Sequence, residues 1–101
     1  MNKKLINIPD NVRIGALDFL VEVLDLGDFQ SEHVGLTNFL DQKISIAKMG
    51  QQMMDVTFLH EIIHAILSNA GYPEENHDEK LIDAIANGFY CLIRDNAKLF
   101  G

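Results

Sequence analysis

Residues 60 to 64 read His60-Glu61-Ile62-Ile63-His64, an H-E-x-x-H pattern in a chain of 101 residues. On a helix, histidines four residues apart project from one face about one turn apart, so their imidazoles can close on a single metal ion. Glu61 stands beside them, where its carboxylate can take a proton from water that a metal activates and hand it to a leaving amine. The pentapeptide thus offers two ligands and a general base, and a catalytic zinc site of this type needs one more protein ligand. Chance alone gives the pattern in roughly one chain of this composition in a hundred. The flanks sharpen it, because Val56-Thr57-Phe58-Leu59 before and Ala65-Ile66-Leu67 after are largely apolar and free of Pro and Gly, as a buried helix requires. Two histidines and a glutamate on such a helix carry a desolvation cost unless something binds them. The plain alternative is a polar stripe facing solvent, with His60 and His64 as ordinary surface residues.

Candidates for the third ligand follow within reach: His77, Asp78, Glu79 and Asp83. The first helix is predicted to end near Asn69-Ala70-Gly71, since Gly is the usual residue just past a helix C-terminus and Pro73 prevents continuation. A second helix is predicted to begin near Asn76 or His77, with Leu81, Ile82, Ile85, Phe89 and Leu92 at helical spacing. Glu79 and Asp83 are four apart and share a face, as His60 and His64 do. A short link packs two helices antiparallel, which brings the start of the second towards the end of the first. Glu79 is the expected third ligand, and Asp83 the expected acceptor for the far nitrogen of one ligating histidine. Two alternatives stand beside this. Asn76-x-x-Glu79 is close to a capping box, in which the glutamate only satisfies a free backbone N–H. His77 as the alternative metal ligand would give a three-histidine site, and on a helix it would point to a different side from Glu79.

The segment before the motif reads as β. Lys4-Leu5-Ile6-Asn7-Ile8 suits a short strand stopped by Pro9-Asp10-Asn11. Residues 12 to 24 are ambiguous between one amphipathic helix and a hairpin, and the alternation Phe19, Val21, Val23 favours strands with Gly15-Ala16 in the turn. Gly27-Asp28 opens a polar loop, after which residues 33 to 39 and 43 to 47 read as a hairpin around Asp41-Gln42. Met49, Met53 and Met54 suit core filling. The expected fold class is α+β: a minimal zincin-like domain in which a small antiparallel sheet of about three or four strands packs on two antiparallel helices. No internal repeat or linker interrupts residues 1 to 101, so a single domain is expected.

Composition narrows the function classes. Apolar residues make up 48% and charged residues 23%, which argues against disorder, and a net charge of −7 disfavours nucleic acid, whose phosphates need Lys and Arg clusters. No apolar run is long enough to span a membrane and the N-terminus lacks the apolar core of a signal peptide, so a cytosolic protein is expected. The lone Cys91 is expected as a buried small hydrophobe within the second helix. Apolar residues on that helix's outer face, around Tyr90, Leu92 and Phe100, suit either a dimer contact or the end of the core.

The pairing of H-E-x-x-H with Glu79-x-x-x-Asp83 resembles the gluzincin arrangement of thermolysin. The run from Thr57 to Leu67, followed by Asp78-Glu79-x-x-Ile82-x-Ala84-Ile85-Ala86, looks like small metallopeptidase-like proteins of bacteriophages and prophages of Gram-positive bacteria, and is similar to the core of the ImmA/IrrE metallopeptidase family. The resemblance covers roughly residues 12 to 96 in order of elements, with specific motif content in residues 57 to 89. It implies zinc as cofactor, a phage or bacterial cytosol, and hydrolysis of a protein or peptide substrate such as a repressor. One departure is the link of only fourteen residues between His64 and Glu79, shorter than is usual in the larger family. The peptidase reading places catalysis on Glu61, an oxyanion contact on Tyr72, Tyr90 or His33, and substrate alignment on an exposed hairpin edge at residues 43 to 47. The rival from another class is a non-catalytic, zinc-stabilised binding or regulatory module. Against it stands Glu61, a base that a structural site does not need.

Overall fold

A computed structural model of the chain describes residues 7 to 29 and 33 to 100. The first hairpin pairs β1 (Asn11–Ile14) with β2 (Leu17–Leu24) in antiparallel register, Ile14 opposite Leu17. The two-residue turn between them needs a positive φ, and Gly15 supplies it at 60°. After a 3₁₀ turn at Leu26–Asp28, a second hairpin joins β3 (Gly35–Asn38) to β4 (Lys43–Ala47). Its loop is held by the Asp41 N–H donating to Asn38 Oδ1 at 3.0 Å and by Gln42 in the left-handed region at φ 52°. Both hairpins and both turns fall where the alternation and turn residues put them. The expected strand at residues 4 to 8 lies mostly outside the described residues, and Asn7 and Ile8 are not in a strand.

The architecture is α+β, a four-stranded sheet with two helices, but the sheet is mixed where the sequence suggests an antiparallel one. Its order is β1-β2-β4-β3, with β2 and β4 parallel, Val21 opposite Ile44 and Val23 opposite Ile46. β4 is therefore an interior strand, paired on both sides, and the edges belong to β1 and β3. That corrects the expectation of an exposed edge at residues 43 to 47. The composition of β4 accounts for it: Ile44, Ser45, Ile46 and Ala47 are all buried, as befits a central strand flanked by a strand on either side.

The helix α1 (Gln51–Asn69) lies across the sheet, and α2 (Glu79–Asp95) packs on α1. The core forms between the inner sheet face and α1, from Ile14, Phe19, Val21, Ile44, Ile46, Phe58 and Ala65. Met54 packs against it as expected, whereas Met53 is exposed. α1 ends in a Schellman motif: the Tyr72 N–H donates to the Leu67 carbonyl at 2.9 Å and the Gly71 N–H to Ser68 at 3.2 Å, with Gly71 at φ 98°. A 3₁₀ turn at Glu74–Asn76 then delays α2, whose cap is Asp78, its Oδ1 accepting from the Leu81 N–H at 3.2 Å. The capping box on Asn76 is thus not formed, and the Glu79 carboxylate at the first helical position is not spent on a cap. Cys91 is exposed, not buried, because α2 buries only the narrow stripe Ile82, Ala86 and Tyr90. Among the described residues no helix is long and apolar enough to cross a membrane.

β3 approaches α1 closely at Gly35, where a Cβ would lie 2.7 Å from Thr57 Cγ2 and 3.0 Å from Glu61 Oε2. Thr57 is β-branched and buried, so it cannot swing away. Gly35→Ala is expected to lower stability by about 1 to 3 kcal/mol. The measurement is the urea midpoint at unchanged slope.

Candidate metal centre

The antiparallel course of α1 and α2 brings the first turns of α2 against the second half of α1. His60 Nε2 and His64 Nε2 lie 3.0 Å apart, and the two carboxylate oxygens of Glu79 lie 3.0 Å from the first and 2.9 Å from the second. One turn along α2, Asp83 Oδ1 reaches the other ring nitrogen of His60, Nδ1, at 2.8 Å. His77, the alternative ligand, sits elsewhere: its Nδ1 is 2.7 Å from His64 Nδ1, on the side of that ring away from Glu79, and its Nε2 is 2.8 Å from the Tyr72 carbonyl.

These partners assign the protons. A carbonyl only accepts, so His77 Nε2 donates to Tyr72 and the neutral His77 keeps a bare Nδ1. That nitrogen accepts from His64 Nδ1–H, which leaves His64 Nε2 as a lone pair. Asp83 accepts from His60 Nδ1–H and leaves His60 Nε2 bare in the same way. Two lone pairs and a carboxylate thus converge within 3.0 Å with no proton assigned between them. With both rings neutral, such a cluster of acceptors is repulsive by itself and attractive around a cation.

His60, His64 and Glu79 form a group that could hold a metal ion. Tetrahedral bonds of about 2.0 to 2.1 Å would put ligand atoms roughly 3.3 Å apart, a few tenths beyond the observed separations. The side chains of His60 and His64 are 16% and 9% exposed against 64% for Glu79, so the cluster is backed by protein and opens towards solvent.

Glu61 faces the same space from the next position on α1. The Thr37 hydroxyl donates to its Oε1 at 2.8 Å, and Gly35 leaves room for Oε2. Burial pushes the Glu61 carboxyl above the usual carboxylate range, against the hydrogen bond from Thr37 and the nearby imidazoles of His60 and His64, while the Glu79 charge adds to the rise. Thr37 and Gly35 escape a reading of the sequence. The signal they offer is their alternation in a strand of Gly35–Asn38, which puts both on one face, but nothing local says that α1 lies against it.

A cleft runs between β3 and α2 with the cluster in its floor. One part, about 540 Å³, is lined by His33, Val34, Met53, Val56 and Asn87 beside His60, Glu61 and Glu79; a second, about 220 Å³, extends past Thr37 towards Phe39 and Glu74. Of the three candidates for an oxyanion contact, only His33 lines this cleft; Tyr90 is buried on α2, and Tyr72 is exposed outside the cleft. No family model matches the chain, and no curated protein or solved structure does either.

Removing His77 takes away the acceptor that fixes the His64 tautomer without touching a donor aimed at the cluster. His77→Ala, and likewise Asp83→Ala, is expected to weaken zinc binding about 10- to 100-fold. His64→Ala is expected to lose it. Competition against a chromophoric chelator measures all three.

Proposed function

We propose that the protein is a zinc-dependent peptidase of the phage or bacterial metallopeptidase type that its motif resembles, hydrolysing a peptide bond of a protein substrate laid in the cleft beside β3. The observation that carries this reading is the buried carboxylate of Glu61, steered by Thr37 into the space where the His60, His64 and Glu79 donors converge. A purely structural metal site has no use for a base there, and three protein donors are the number a catalytic zinc site would use.

His60, His64 and Glu79 would hold the ion, with His77 and Asp83 fixing both ring orientations. Zinc, when bound, supplies a Lewis acid that makes water a nucleophile near neutral pH and polarises a carbonyl. Glu61 then acts as the proton carrier. With Oε1 engaged by Thr37, its Oε2 takes the proton as the water oxygen bonds to the scissile carbonyl carbon. It returns that proton to the amine nitrogen as the carbon–nitrogen bond breaks. The free edge of β3 offers backbone groups to an extended peptide, so the substrate would add as a further strand. His33, which lines the cleft, would steady the developing oxyanion.

Glu61→Gln keeps the size of the side chain and removes its ability to accept a proton. The variant is expected to bind zinc as the parent does and to cleave a peptide library about 10² to 10⁴ times more slowly. A variant that cleaves at the parent rate, or a zinc-loaded parent that cleaves nothing across a broad library, sinks the peptidase reading.

A further inference from the structure

Four carboxylates line the cleft, those of Glu61, Glu74, Glu79 and Asp83, and neither part of it is lined by Lys or Arg. Three of the four are engaged within the site. Thr37 holds Glu61, the two imidazoles face Glu79, and Asp83 accepts from His60. Glu74 is different: among the described residues its side chain has no hydrogen-bond or ion-pair partner. It stands exposed on the 3₁₀ turn that Pro73 opens, in the part of the cleft that extends past Thr37 towards Phe39. The other part, past Met53 and Val56, has Asn87 in the corresponding place and no carboxylate left unengaged.

The strand pairing says what can reach Glu74. The Val34 carbonyl accepts from the Ala47 N–H at 2.8 Å, and bonded positions alternate along an antiparallel pair. Residues 34, 36 and 38 therefore direct their backbone groups to β4, and the N–H and C=O of Gly35 and Thr37 point to the open edge. An extended peptide that pairs with these two sets every second side chain on the face that Gly35 and Thr37 use, towards α1. The next residue of the chain on that face is Phe39, whose ring stands edge-on to Phe19 at 5.9 Å. A substrate side chain entering this arm meets apolar surface at Leu36 and Phe39 and an unpaired carboxylate at Glu74.

We infer that the peptide taken by this cleft carries an arginine or lysine, whose aliphatic stem lies against Leu36 and Phe39 and whose cation pairs with Glu74. The inference rests on the peptidase reading of the same site. A long basic side chain is the one that buries an apolar stem while keeping its charged head at the solvent-facing end of a groove. Arginine fits better than lysine, since its guanidinium can meet a carboxylate through two N–H groups and stack on an aromatic ring. Glu79 cannot stand in for Glu74, because its charge is committed to the ion.

The probes are capped alanine-based hexapeptides with arginine, or its neutral isostere citrulline, at each position in turn. At one position the zinc-loaded parent should cleave the arginine peptide with a kcat/KM about fivefold above that of the citrulline peptide, a gain that fades as salt is raised. Glu74→Gln should bring that ratio close to one, and Glu74→Lys should favour glutamate at the same position. Glu75 is exposed and does not line the cleft, so Glu75→Gln should leave the ratio unchanged. Fluorescence anisotropy of labelled peptides on zinc-loaded Glu61→Gln reads binding without cleavage, and the arginine peptide should bind about fivefold more tightly, again only with Glu74 present. Equal cleavage of arginine and citrulline peptides by the parent, or a preference that survives Glu74→Gln, overturns the inference and leaves the peptidase reading standing. Glu74-dependent binding of the arginine peptide with no cleavage by the parent supports the inference and sinks the peptidase reading instead. Neither cleavage nor binding of any of these peptides overturns the inference.

Discussion

Two imidazole nitrogens and a carboxylate meeting within 3.0 Å at the contact of α1 and α2 are the constraint around which the rest of the molecule is arranged. With both imidazoles neutral each of the three is an acceptor, so their convergence then opposes the packing of the helices unless positive charge stands among them. The apolar contact against which this repulsion works is modest, three buried residues on α2 at one-turn spacing. A cation would turn the least favourable part of the helix contact into its strongest clamp. Docking of α2 and metal binding are then one equilibrium, since whatever holds the ion also holds the helix.

The direction of those lone pairs is decided outside the cluster. The Schellman motif at the end of α1 turns the chain back so that the Tyr72 carbonyl is presented to His77. That carbonyl fixes the His77 proton on Nε2, and the bare Nδ1 of His77 fixes the proton of His64. A helix terminus thus sets the tautomer of a ring two turns upstream. His60 is set independently, by a carboxylate one turn along α2 from Glu79. The two histidines are alike in what they present and different in what backs them, a neutral chain on one side and a charged acceptor on the other.

Features written in short stretches are legible in the residues alone. Gly15, the Asp41-Gln42 turn, the Gly71 helix end and the four-residue spacings of His60 with His64 and Glu79 with Asp83 all act within a few residues, and period and turn chemistry expose them. What depends on which surfaces meet is not. The parallel pairing of β2 with β4 joins strands eighteen residues apart in sequence and puts residues 43 to 47 inside the sheet, with β3 at the edge beside them. Alternation says which side chains share a face and nothing about which edge is covered. The exposure of Cys91 is hidden for a related reason: α2 is apolar over a wide arc, and only the position of α1 decides which part of it is buried. His77 competes as a ligand only for a helix that begins at Asn76 or His77; the 3₁₀ turn at Glu74–Asn76 keeps it outside α2 and behind His64.

The register of β3 ties the sheet to the Glu61 carboxylate. Gly35 and Thr37 both point to α1, one lacking a side chain where Glu61 Oε2 needs room and the other supplying a hydroxyl to Oε1. A slip of one residue would reverse the faces of the strand and set Leu36 against the Glu61 carboxylate. The slip is resisted at the far end of the hairpin. Asn38 and Asp41 bond across the loop, the Gln42 side chain donates to the Asp18 carbonyl at 2.9 Å, and the Leu20 N–H donates to the Gln42 carbonyl at 2.8 Å. Gln42 accepts a left-handed backbone, uncommon for a residue with a side chain, to make those last two bonds. The position of the Glu61 carboxylate in the cleft is therefore held from outside it, by a turn that anchors β3 and β4 to β2.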